Sequence, residues 1–206
     1  MSSSAQSSGS KRILLAITGA SGAPYALSLL QVLAEHPRID LHVIISPAAE
    51  TILELESGTK LEDLPLNGYT LHDCMDIAAP PASGSWLHQG MIVCPCSMAS
   101  LANIRHGTGR NLIHRAADVT LKEKLPLIVV PRETPLSSIH LENMLGLDRA
   151  GARIVPASPG FYHCPDTIQD LINHLVGRIL DQLGISHALT PRWGDLSGQP
   201  SPGQQS

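Results

Sequence analysis

The residues of this chain that could do chemistry gather where its apolar runs stop. Thr18-Gly19-Ala20-Ser21-Gly22 follows the run Ile13 to Ile17 and precedes Pro24, a residue suited to the first turn of a helix. Ser46 ends a second run, Leu41 to Ile45, and Pro47 follows it. Pro95-Cys96-Ser97 follows Met91 to Cys94, and Arg132-Glu133 follows Leu125 to Pro131. A fifth run, Ala152 to Pro156, leads into Ala157 to Tyr162. Backbone N–H groups at a helix start, helped by the helix dipole, favour an anion. The glycine-rich turn therefore reads as an anion site, or as a tight strand-to-helix turn that holds nothing. Ser97 reads as a helix N-cap or as a ligand hydroxyl. Arg132 and Glu133 read as a simple ion pair or as a catalytic pair. Arg115, Asp118 and Lys122 stand at i, i+3 and i+7, so they share one helix face. That face is either a solvated charged surface or a basic wall for a phosphate, within one subunit or across a subunit interface. Glu56 is a lone acid at the end of a helical segment. Arg178 flanks the apolar stripe of the last helix, where its stem would cover apolar surface.

The runs that carry these residues are short, apolar and separated by helical patterns. Helices are expected from Pro24 to Ala34, from Pro47 to Glu56, and around 97–105, 112–124 and 138–149. A final amphipathic helix repeats Ile168, Leu171, Ile172, Leu175, Val176, Ile179, Leu180 and Leu183 at helical spacing. Apolar strands alternating with helices predict an α/β protein: a Rossmann-like parallel sheet with helices on both faces. In such a sheet, ligands bind at the carboxyl ends of the strands. The glycine turn lacks the Lys-Ser/Thr of a Walker A loop and is not GxGxxG. Ser46 stands where a dinucleotide fold places an acid for the ribose, which disfavours NAD. A mononucleotide such as FMN, with one phosphate, suits the turn better.

Composition excludes several other classes. The 206 residues favour one domain, with 43% hydrophobic and 16% charged residues. Residues 1–10 are Ser-rich and read as a disordered leader, 11–185 as the domain, and 186–206 as a tail carrying Trp193. A net charge of −4 gives no footprint for nucleic acid, and 3% aromatics leave little for base stacking. No apolar run approaches the roughly 20 residues that cross a bilayer. Ten His and four Cys show no HExxH or paired spacing, so no metal site is expected. Cys94 and Cys96 read as small core residues. Reduced cysteines with no secretory leader point to the cytoplasm. The stretch 57–90 has weak periodicity and stays unassigned.

Taken together, these segments resemble the UbiX family of flavin prenyltransferases from about Arg12 to Trp193. The likeness rests on Thr18–Gly22, Ile45-Ser46, Ala79–Gly84, Cys94–Ser97, Asn111–Asp118, Val130–Glu133, Ser137–Met144 and Pro159–Tyr162. It implies transfer of a dimethylallyl group from dimethylallyl monophosphate to reduced FMN, without metal. The product, prenylated FMN, serves a UbiD-type decarboxylase. By that resemblance FMN is held by Gly19, Ala20, Ser21, Ser46, Ser97, Met98, Ala99, Ser100 and Arg132. The prenyl phosphate meets Arg115, Lys122, Tyr162 and Arg178, with Arg115 supplied by the same or a neighbouring subunit. Glu133 and Ser21 handle protons at the leaving phosphate, Glu56 assists ring formation, and Trp193 walls the allyl group. Members form large homo-oligomers, commonly dodecamers. After Ser97 the family usually continues Thr-Gly-Thr, where this chain has Met98-Ala99-Ser100. A sister group of flavin-dependent decarboxylases shares the fold, but its Pro-Ala-Ser-Ala-Asn-Thr-type motif is absent here. A non-catalytic FMN-binding subunit is the third reading.

Overall fold

The computed structural model describes residues 10–64 and 67–190. Residues 1–9, most of the expected leader, lie outside these, as does Trp193 in the tail.

Six parallel strands form one sheet: β1 Lys11–Ile17, β2 Ile39–Ile45, β3 Tyr69–His72, β4 Gly90–Cys96, β5 Leu127–Pro131 and β6 Arg153–Ile154. Their spatial order is β3-β2-β1-β4-β5-β6. The chain alternates these with α1 Ala23–Ala34, α2 Pro47–Ser57, α3 Met98–His106, α4 Leu112–Lys122, α5 Ser138–Arg149 and α6 Ile168–Gln182. Parallel neighbours need crossovers, and helices supply most of them here.

The central strands are buried along their length because both faces of the sheet are covered. Leu14, Ala16, Met91, Val93, Leu127 and Val129 share one core with Leu101 and Ile104 of α3, Leu112, Ala116 and Ala117 of α4, and Leu147 of α5. Side chains alternate along a strand, so Ile13, Leu15, Ile17, Val43 and Ile92 point to the opposite face. They too are fully buried, and α1 packs over β2 and β4. Nearly unbroken apolar runs such as Ile13 to Ile17 follow from this two-sided cover.

The structure adds β3, which lies in the stretch the sequence leaves unassigned. It is a four-residue edge strand with no fully buried residue, Tyr69-Thr70-Leu71-His72. One covered neighbour and mostly polar or half-exposed side chains leave no apolar run to read. The fifth expected strand shrinks to Arg153–Ile154.

By its contacts the chain divides into two compact units, residues 1–158 and 159–206. The first holds the whole sheet. In the second, α6 buries Ile172, Leu175, Val176, Ile179 and Leu180 along one stripe, and Thr167 and Asp170 close its start with a reciprocal capping box.

Candidate active site

The strand order reverses between β1 and β4, and a doubly wound sheet opens its ligand crevice at such a point. Thr18, 2% exposed, ties the two strand ends together. Its hydroxyl donates to the Pro95 carbonyl at 2.9 Å and accepts the Ser97 N–H at 2.8 Å. The sequence reading places Thr18 at the strand end but gives it no role. Its signal is a polar side chain closing an otherwise apolar strand.

From this tie the turn Gly19–Gly22 leads into α1. Gly19 lies so close to α2 that a Cβ there would fall 2.5 Å from the Ala48 Cβ. Gly22 takes the N-cap position of α1 at φ 124° and offers no capping side chain. A residue 34 positions on does that work. Glu56, in the last turn of α2, accepts the Gly22 N–H at 2.9 Å and the Ala23 N–H at 2.8 Å on Oε2. Burial pushes its carboxyl up, but the Ser21 hydroxyl, the two N–H groups and the Arg132 charge outweigh this and hold it below its ordinary range. Arg132, at the end of β5, donates from Nε to the Ser21 carbonyl at 3.1 Å. Ser21, Glu56 and Arg132 thus meet from three separate elements.

Of the hydroxyls that the resemblance assigns to FMN, those of Ser46, Ser97 and Ser100 sit at helix starts. Ser46 Oγ caps α2 by accepting the Ala49 N–H at 3.2 Å. Ser97 Oγ caps α3 by accepting the Ser100 N–H at 3.2 Å and donates to Ser100 Oγ at 3.1 Å. The Ser46 hydroxyl accepts and still holds its one hydrogen to donate, whereas Ser97 gives its hydrogen to Ser100, whose own hydroxyl hydrogen is left to donate. The first turn of α3, Met98-Ala99-Ser100, carries N–H groups that the helix cannot satisfy internally. Hydroxyls, helix-start N–H groups and the close glycine approach together fit a ligand with a phosphate and a polyol chain. Cys94 and Cys96 are fully buried free thiols. Burial pushes Cys96 up to about 12 and Cys94 higher still, so neither is a nucleophile near neutral pH.

Most of the chain matches known proteins. Residues 1–180 match the Flavoprotein family model. The flavin prenyltransferase UbiX of Pseudomonas aeruginosa is 46% identical over 202 residues, covering 91% of this chain and 96% of that protein. The crystal structure of a dodecameric FMN-dependent UbiX-like decarboxylase from Escherichia coli O157:H7 superposes with a TM-score of 0.86 at 47% identity, covering 88% of this chain and 98% of that one. AnUbiX in complex with FMN and dimethylallyl pyrophosphate gives 0.85 at 43% identity, covering 89% and 97%. The chain belongs to the UbiX-like flavoproteins. The resemblance and the Rossmann-like fold expected from sequence both hold.

Not every expected residue of the UbiX-like site meets the others. Arg132 and Glu133 line a cavity of about 340 Å³ with Thr134, Leu136, Met144 and Ser158. They do not form the simple ion pair weighed from sequence: Arg132 reaches Ser21, and Glu133 Oε1 accepts the Thr134 N–H at 3.0 Å. Arg115 and Lys122 lie on the exposed side of α4. Arg115 pairs with Asp118 at 2.5 Å and donates to the Ala82 carbonyl. Lys122 pairs with Glu123 at 2.7 Å, beside Gly84. Lys122 precedes β5 and Arg132 follows it, so the five residues of that strand, roughly 16 Å, separate the two within one subunit. Tyr162 and Arg178 belong to the second unit. Arg178 projects from α6 and pairs with Asp181 at 3.3 Å. The Tyr162 hydroxyl lies 2.9 Å from His174 Nε2.

Among the described residues, no helix is long and apolar enough to cross a membrane.

Proposed function

We propose that this protein transfers a dimethylallyl group from dimethylallyl monophosphate to reduced FMN, with no metal ion, and releases prenylated FMN and phosphate. The observation that carries this reading is the convergence of Ser21, Glu56 and Arg132 at the ends of β1 and β5. A hydroxyl, a fixed carboxylate and a guanidinium from three elements make a polar end to an otherwise apolar sheet. Reduced FMN supplies the carbon and nitrogen nucleophiles.

Gly19, Ala20, Ser21, Ser46, Ser97, Met98, Ala99, Ser100 and Arg132 hold the flavin. The allylic C–O bond breaks as the new bond to flavin forms, and the electron pair leaves with phosphate. Cations lower that barrier by neutralising the leaving group. Arg115, Lys122 and Arg178 supply them, with Tyr162 as a hydroxyl donor. Arg115 reaches the site from a neighbouring subunit; its exposed position on α4 supports this, and we place Lys122 of the same face with it. Glu133 and Ser21 move the proton at the phosphate, Glu56 assists ring closure, and Trp193 walls the allyl group. The assembly is a homododecamer in the cytoplasm, and a UbiD-type decarboxylase takes the product.

The test is anaerobic. The protein is mixed with reduced FMN and dimethylallyl monophosphate, and the released flavin is weighed by mass spectrometry. A gain of one five-carbon prenyl unit is expected. Unmodified flavin from both this donor and dimethylallyl diphosphate, with FMN bound, would leave a decarboxylase or a non-catalytic FMN-binding subunit.

A further inference from the structure

We propose that His174 is a positioning residue for the prenyl donor: it sets the hydrogen-bond polarity of Tyr162, so that the phenol donates its hydrogen to the donor's phosphate. This rests on the reading of Tyr162 as a phosphate ligand.

The argument starts from the backbone. His174 Nδ1 accepts the Gly160 N–H at 3.3 Å. An N–H can only donate, so Nδ1 carries a lone pair, and the neutral ring keeps its proton on Nε2. Nε2 lies 2.9 Å from the Tyr162 oxygen, and its N–H therefore donates to that oxygen. The phenol has one hydrogen, and it points away from His174. A phosphate dianion only accepts hydrogen bonds, so a phenol in this polarity suits it. With the other tautomer, Tyr162 would donate to His174 and turn lone pairs toward the anion.

Neighbouring groups hold this arrangement. The His163 ring stacks on His174 with centroids 4.8 Å apart and planes 8° apart. Tyr162 meets His174 edge-on at 5.4 Å and 82°. A Cβ on Gly160 would come within 2.8 Å of Tyr162 Cε1 and 3.4 Å of His174 Cε1, so a bare glycine lets the two rings approach the chain. Burial first, then the neighbouring His163 ring and the Arg178 guanidinium, lower the His174 pKa and favour the neutral ring. His174 and Arg178 are four residues apart on α6 and share one face. The polarised phenol and the guanidinium are therefore carried by the same side of one helix.

The test compares His174→Phe, His174→Gln, Tyr162→Phe and the Tyr162→Phe/His174→Phe double variant in anaerobic steady-state assays. His174→Phe is expected to raise the KM for dimethylallyl monophosphate about fivefold, the effect of losing the neutral hydrogen bond that orients the phenol toward the phosphate. Its kcat and FMN affinity should stay within about twofold of the parent. His174→Gln, whose amide N–H can donate to the phenol, should recover most of the loss. In the Tyr162→Phe background His174→Phe should add nothing, because the two act as one unit. A parental donor KM in His174→Phe, or an equal effect in both backgrounds, overturns the proposal while leaving the phosphate role of Tyr162 intact. A parental donor KM in Tyr162→Phe overturns that role and this inference with it. If His174→Phe fails to fold, His174→Met against His174→Gln gives the same contrast between a side chain without an N–H donor and one with it.

Discussion

Glu56 Oε2 accepts the Gly22 N–H at 2.9 Å, so an acid in the last turn of α2 closes the start of α1. It accepts the Ala23 N–H at 2.8 Å as well. Gly22 has no side chain to cap with, and its φ of 124° suits glycine. The carboxylate replaces the missing cap and sits at the positive end of the helix dipole. One group thereby fixes the glycine turn, faces Arg132 and stands beside Ser21. A residue proposed for catalysis also holds the turn that shapes its site.

Glu56→Ala should therefore lower stability by about 1 kcal/mol at neutral pH, the usual effect of losing a helix cap. The folded pKa of Glu56 lies below its ordinary value. Its contribution is then fully present above the ordinary carboxylate range and lost as pH falls through the folded value. Denaturant titrations from about pH 7 down to about pH 3 should show the parent and the variant converging. A gap that stays constant with pH would show that the ionised carboxylate is not what stabilises α1.

Thr18→Val removes the hydroxyl that joins the ends of β1 and β4. The Ser97 N–H then loses its acceptor in a covered position, at a loss of about 1–3 kcal/mol. Thr18→Ser should restore most of it. Flavin retained through purification should fall with Thr18→Val and recover with Thr18→Ser. Parental retention in both would place Thr18 outside the structure that shapes the flavin site.

Glu133→Gln should bind FMN as the parent does and slow prenyl transfer by about a hundredfold or more, the range for a lost general acid or base. Rapid-mixing measurement of the first turnover reads the chemical step directly. A parental rate there would remove Glu133 from proton transfer.

Arg178→Ala should raise the KM for dimethylallyl monophosphate about tenfold and leave FMN affinity unchanged. Its pairing with Asp181 is exposed, with Arg178 57% accessible, so the stability change should stay under about 1 kcal/mol. Titrating the donor against parent and variant separates the two effects. Equal donor affinity would show that Arg178 serves α6 alone.

Gly19→Ala should displace the start of α2, because the new Cβ would fall 2.5 Å from the Ala48 Cβ. FMN retention should drop sharply while the sheet, read by far-ultraviolet circular dichroism, persists. Full retention would show that the turn and α2 can separate without loss of the flavin site.

Much of this molecule was legible in its residues. Runs such as Ile13 to Ile17 and Leu127 to Val130 are apolar throughout because both faces of the sheet are covered, and that pattern carries the α/β class. Strand ends then pointed to Ser46, Ser97 and Arg132, since local rules place a helix cap or an exposed charge there. Other features had no local signal. β3 is a short polar edge strand. Glu56 looked like a lone surface acid, because its partners Gly22 and Ala23 lie more than thirty residues away. His174 looked like one of ten scattered histidines, although it accepts from Gly160 and faces Tyr162.

The sequence by itself determined most of the segments that become strands and helices, β3 excepted, and therefore which residues stand at the ligand edge. Those choices depend on periodicity, caps and burial over a few neighbouring residues. Only the tertiary structure decided that Arg132 joins Ser21 rather than Glu133, and that Glu56 closes the start of α1 at Gly22. Hydrogen bonds such as these close across 34 to 111 positions of chain. Their partners are chosen by how the turns approach in space, which no local pattern records.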